Sequence, residues 1–129
     1  MTTFSIVQNE NLRSFPYELT SLRDEGGTLS LDLLGCNDTR LMLSFDSCLF
    51  YSKQDEGDAL RTLQVLRSAN ALGNSVLLKA SNSRLLEWFS DETFNVRNPN
   101  KLMHYISICI NDIINVIFSE DPDISNEPT

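Results

Sequence analysis

The chain has 129 residues, 41% of them hydrophobic, and carries a formal net charge of −8 from 18 acids and 10 bases. This length and apolar content fit one domain with a single core, without metal or disulfide staples. The acidity argues against unspecific binding to nucleic acid, whose phosphates require a basic footprint. Three widely spaced cysteines, Cys36, Cys48 and Cys109, with no CxxC pair, fit a reduced intracellular protein. The N-terminus shows no secretion signal, and no run is long enough to span a membrane. A cytoplasmic location is expected.

In chain order, "FSIV" (4–7) reads as a short first strand, and "YELTSLRD" (17–24) alternates weakly after Pro16. "EGG" (25–27) is a turn signal. "TLSLDLL" (28–34) puts Leu29, Leu31 and Leu33 on one face and Ser30 and Asp32 on the other, which is strand periodicity. After the turn "GCND" (35–38), the run "RLMLSFDSCLFYS" aligns Leu41, Leu43 and Phe45. Asp46 and Ser47 either bend this run or divide it in two. Short turns between these strands predict antiparallel pairing.

The period changes at Asp58. Ala59, Leu63, Leu66 and Asn70 recur at helical spacing, which predicts a helix over about 57–70 that packs on the sheet through Leu63 and Leu66. Gly73 is suited to a left-handed cap. "SVLLKAS" (75–81) is a strand, and Asn82 or Ser83 is placed to cap a short helix, "SRLLEWF". "LMHYISICI" (102–110) and "INDIINVIF" (110–118) form a strand pair around an Asn111–Asp112 turn. Their apolar residues on both sides predict a central hairpin with both faces covered. The tail "SEDPDISNEPT" holds four acids and no base, leaving 14 acids against 10 bases in the body, a charge of −4. The expected organisation is one α+β domain over 1–118, with a mostly antiparallel sheet and two helices, and a disordered acidic tail over 119–129.

The chemical motifs are sparse. Asp55, Glu56 and Asp58 are hard oxygen donors, but no DxDxDG loop with a closing glutamate surrounds them. The lone His104 leaves zinc short of ligands. No HExxH, GxSxG, GxGxxG or GxxxxGK[ST] pattern occurs. We therefore expect no metal site, no cofactor and no catalytic residues. His104 reads as a hydrogen-bonded structural histidine at the start of a strand. For "DEGD" (55–58), the first reading is structural: the acids start a helix, favoured by its dipole, with Asp58 or Asp55 accepting backbone N–H bonds. Their second reading is a recognition surface. Phe89 reads as core. Trp88 reads either as core or as an interface anchor, with Asp91 and Glu92 beside it.

Three segments together carry a resemblance. "LSFDSCLFYSKQDEGDALRTL", "LLEWFSDETFNV" and "HYISICINDIINVI", in this order over residues 40 to 118, resemble small bacterial immunity proteins of polymorphic toxin systems. These include contact-dependent growth inhibition and Rhs-type systems. The resemblance implies an inhibitor without catalysis, which binds a cognate toxin C-terminal domain, most often a nuclease such as a tRNase, and protects the producing cell. Candidate toxin contacts are Asp55, Glu56, Asp58, Trp88, Asp91 and Glu92. No nucleic-acid or membrane partner is expected. The alternative is a ligand- or nucleic-acid-binding module that uses an exposed sheet, with Phe50 and Tyr51 stacking on bases.

Overall fold

The computed structural model describes residues 2–13, 16–72, 75–97 and 99–126. Among these residues nine strands and two helices follow one another: β1 (Thr3–Ile6), β2 (Glu18–Glu25), β3 (Thr28–Leu34), β4 (Arg40–Phe45), β5 (Phe50–Asp55), α1 (Leu60–Ser68), β6 (Leu77–Ser81), α2 (Arg84–Glu92), β7 (Met103–Ile108), β8 (Asp112–Phe118) and β9 (Asp123–Ser125). They form two antiparallel sheets. The first has the order β1-β6-β7-β8-β5 and the second the order β2-β3-β4-β9. The chain is a compact α+β protein.

The period-two runs explain how the sheets stack. Leu29, Leu31 and Leu33 of β3 and Leu41, Leu43 and Phe45 of β4 all point into one core. Ile114, Val116 and Phe118 of β8 meet them from the first sheet. The intervening Ile113 and Ile117 point the other way and pack under the helices. Every apolar β8 side chain therefore faces either the second sheet or the helical layer, as a hairpin covered on both sides requires. Two turns follow local chemistry. Gly26 and Gly27 both have positive φ, 58° and 86°, the backbone of a tight hairpin between β2 and β3. Asn111, at φ 72°, turns β7 into β8.

The run through Asp46 and Ser47 is divided in two. Ser47 adopts φ 62°, and the chain crosses from β4 in the second sheet to β5 in the first. The predicted 57–70 helix also needs redrawing. Glu56–Asp58 form a separate 3-10 turn, and α1 starts only at Leu60. Leu66 is fully buried, Leu63 is half-buried, and Leu60 is 69% exposed. Asn70, at φ 56°, takes the left-handed conformation just past the helix end. Gly73, expected in that role, lies outside the described residues.

The acidic tail expected to be disordered is ordered through Asn126. Asp123–Ser125 pair with Met42–Ser44 of β4. Ile124, the one aliphatic side chain of the segment, packs against the core between the sheets. Two polar ties add to this: Asn11 Nδ2 donates to the Ile124 carbonyl at 3.0 Å, and Tyr105 Oη donates to Asp121 Oδ1 at 2.9 Å. An open edge on β4 and one apolar anchor outweigh the polar composition. Residues 127–129 lie outside the described residues.

Candidate functional site

The acids of the 55–58 segment are placed by local hydrogen bonding. Asp55 Oδ1 accepts the Gly57 N–H at 2.7 Å, capping the 3-10 turn. The Glu56 N–H donates to the Asn111 carbonyl at 2.9 Å, tying the turn to the β7–β8 loop. Gln54 Nε2 donates to the Asp58 carbonyl at 2.7 Å. The first turn of α1 itself contains no acid. The Asp55 carboxylate and the backbone of Glu56 and Asp58 thus organise the step between β5 and α1 instead of capping α1 directly, and all three acids remain exposed.

Trp88 lies at the other end of β5. Its indole meets the Phe50 ring edge-on, with centroids 5.1 Å apart, and it remains 43% exposed. It is neither core nor free-standing: one edge packs on Phe50 and the rest faces solvent. A six-residue strand rises about 17 Å from first to last residue. Trp88 and the 55–58 acids consequently do not form one cluster. Phe50 is engaged with Trp88, and Tyr51 Oη donates to Asp24 Oδ2 at 3.2 Å. The two aromatics considered for stacking bases point to opposite faces of the sheet and already have partners.

Past Trp88, α2 ends in an exposed apolar and acidic patch. Asp91 and Glu92 are exposed in its last turn. Phe94 and Val96 follow, 89% and 83% exposed. Phe94 and Asn95 both have left-handed φ, 52° and 57°, a conformation that costs a bulky residue energy. The turn is closed by the Asn95 N–H donating to the Ser90 carbonyl at 2.8 Å. Sequence reading places Phe94 in the same aromatic and acidic stretch as Trp88, Asp91 and Glu92 but does not single out Val96.

The third feature is a groove of about 520 Å³ between the two helices. Its floor is the helix-facing side of the first sheet. There a buried polar chain links three elements. Ser83 Oγ lies 2.7 Å from His104 Nδ1, and His104 Nε2 lies 2.8 Å from Asn115 Oδ1. Burial pushes the His104 pKa down, against a smaller opposing effect of the Asn115 hydrogen bond, so the ring is neutral near pH 7. Its partners then fix the tautomer: Nε2–H donates to Asn115, and Nδ1 accepts from the Ser83 hydroxyl. Ser83 Oγ in turn accepts the Leu86 N–H at 3.2 Å as the cap of α2. A serine beside a neutral imidazole is the start of a nucleophilic relay, but this oxygen is also held as a helix cap. The chain joins α2 to β7 and β8.

Elsewhere, Cys109 is buried and its thiol is pushed up to about 11 by that burial, which makes it an inert core residue. Cys48 is half-buried against the core between the sheets, and Cys36 is exposed. Among the described residues no three His, Cys, Asp or Glu side chains converge as a metal site. No helix among them is long and apolar enough to cross a membrane. These features define a class, a two-sheet antiparallel α+β protein with both helices on one face and a groove between them. Comparison of the chain with protein-family models, curated proteins and solved structures finds no match.

Proposed function

We propose that this chain is a cytoplasmic inhibitor of the immunity type, which neutralises a toxin domain by covering a basic face of it. The observation that supports this best is the patch at the end of α2. Trp88, Phe94 and Val96 offer exposed apolar area next to Asp91 and Glu92. Aromatic anchors ringed by charge are the anatomy of a protein interface, and the acid sign selects a cationic partner. A nuclease presents such a face to its own phosphate substrate. The acidic body adds a field that speeds encounter with it. Asp55, Glu56 and Asp58 contribute to that field from the far end of β5, and their local bonds account for their positions.

Co-expression with the candidate nuclease toxin and measurement of binding by the purified chain test the reading. Asp91→Asn with Glu92→Gln should slow association and flatten its salt dependence. Phe94→Ser should speed dissociation by about tenfold or more, a loss of about 1.4 kcal/mol. Both variants should melt like the parent, since these side chains are exposed. Persistent toxicity in the presence of abundant folded chain rejects the reading for that toxin.

A further inference from the structure

The groove between α1 and α2 has a chemistry unlike the rest of the molecule. None of the thirteen described residues that line it is acidic, although acids are 18 of the 129 residues in the chain. Two of the ten bases, Arg61 and Arg84, face into it. Each stands in the first turn of its helix, where free backbone N–H groups add positive potential. Four residues further on, one turn of helix later, each is followed by an apolar side chain that also lines the groove: Val65 after Arg61 and Trp88 after Arg84. The two helices thus present matched pairs, a guanidinium and an apolar surface, across a shared floor.

The polar atoms left open in the groove are mainly donors. Among the described residues, Arg61 and Arg84 make no ion pair or hydrogen bond; the two ion pairs present are Arg23–Asp32 and Lys53–Asp112. Asn115 Oδ1 is taken by His104, which leaves the Asn115 Nδ2 hydrogens for the groove. Thr62 adds a hydroxyl to the wall. His104 and Ser83 satisfy each other and fix the Asn115 amide in place. Two planar cations and an amide donor call for an acceptor-rich ligand carrying about two negative charges. The volume lies within the roughly 300–1,000 Å³ of small-molecule sites.

We propose that this groove binds a nucleoside monophosphate. The phosphate dianion lies between Arg61 and Arg84, the base lies against the indole of Trp88, and the Asn115 amide donates to a base acceptor. Two guanidiniums balance one phosphate dianion, whereas a carboxylate would leave the site with a surplus positive charge. A monomer is favoured over a polymer because the acidic exterior repels the additional phosphates of a strand. The inference shares Trp88 with the inhibitor reading but rests on Arg61, Arg84 and Asn115 of the groove, which the α2 patch does not include.

Trp88 is the only tryptophan in the chain, so its fluorescence, excited at the red edge of the indole band, reports on this site. Adenosine monophosphate should quench it saturably with a Kd of about millimolar or tighter. Adenosine, inorganic phosphate and phenyl phosphate should each bind at least about tenfold more weakly, for want of the charge, the ring or the base acceptors respectively. Arg61→Gln and Arg84→Gln should each weaken nucleotide binding by a similar factor, with unchanged melting curves because both side chains are exposed. Asn115→Leu disturbs the His104 contact, so its melting curve is read alongside. No saturable quenching by the nucleotide overturns the proposal. Equal binding of adenosine removes the phosphate clamp, equal binding of inorganic phosphate or phenyl phosphate removes the nucleoside, and unaltered binding by the double arginine variant removes the site.

Discussion

At the scale of single residues, His104 shows how burial and bonding decide a side chain's state. Its ring is buried, its two nitrogens are both bonded, and its pKa is lowered chiefly by desolvation. The unfolded chain titrates this group near the ordinary value of about 6.5. Above that pH the ring is neutral in both states, and its contribution to stability is fully present. As pH falls through about 6.5, the unfolded state binds the proton first and stability is lost down to the depressed folded value. Because His104 is the only histidine in the chain, urea melts should show this loss before the carboxylates begin to titrate. A His104→Gln variant should be less stable at neutral pH by about 1–3 kcal/mol but flat across that window. An equal slope in the variant would assign the effect to another group. The structural role of His104 was legible in the sequence from its place at the head of an apolar strand. Its partners were not, because Ser83 and Asn115 reach it only once α2 is docked and β8 is paired.

At the scale of elements, legibility followed periodicity. The strict alternation at 28–34 and 40–45 and the apolar run through 113–118 carry their burial on their face, and those strands form as the pattern requires. Boundaries set by hydrogen bonds were harder to see. Asp55 caps a short turn ahead of α1, a detail of backbone geometry with no sequence period of its own. The last strand was the least visible, since Pro122 and three neighbouring acids hide one useful Ile124. Its order rests on that side chain and on the open edge of β4. Ile124→Ser should therefore destabilise the protein by about 1–2 kcal/mol, somewhat less than full burial of an isoleucine contributes. Deleting residues 121–129 should cost at least as much, since the Tyr105–Asp121 hydrogen bond goes as well. Unchanged urea midpoints for both variants would mean that the strand contributes nothing to stability.

At the scale of the whole molecule, the groove could not be read in advance, because it is assembled from distant segments, whereas Trp88, Asp91 and Glu92 of the α2 patch stand close together in the sequence and were candidate contacts there. Arg61, Arg84 and Asn115 share a wall only after β6, β7 and β8 have paired. The pairings themselves are long. Thr3 opposes Ser81, Phe50 opposes Ile117, and Met42 opposes Ser125, each joining residues separated by more than half the chain. Such non-local topology predicts refolding in milliseconds to seconds instead of microseconds; stopped-flow fluorescence of Trp88 measures it, and a microsecond phase with full amplitude would contradict it. The same wiring acts during synthesis. As the chain leaves the ribosome, the β2–β3–β4 meander emerges able to pair with itself, while β1 and β5 emerge with their partners still untranslated. The β1 edge stays open until β6 is released, the β5 edge and the apolar face of the meander until β8 is released, and the second sheet is completed only by β9. A message cut short anywhere before β8 therefore yields an aggregating fragment and not a smaller working domain.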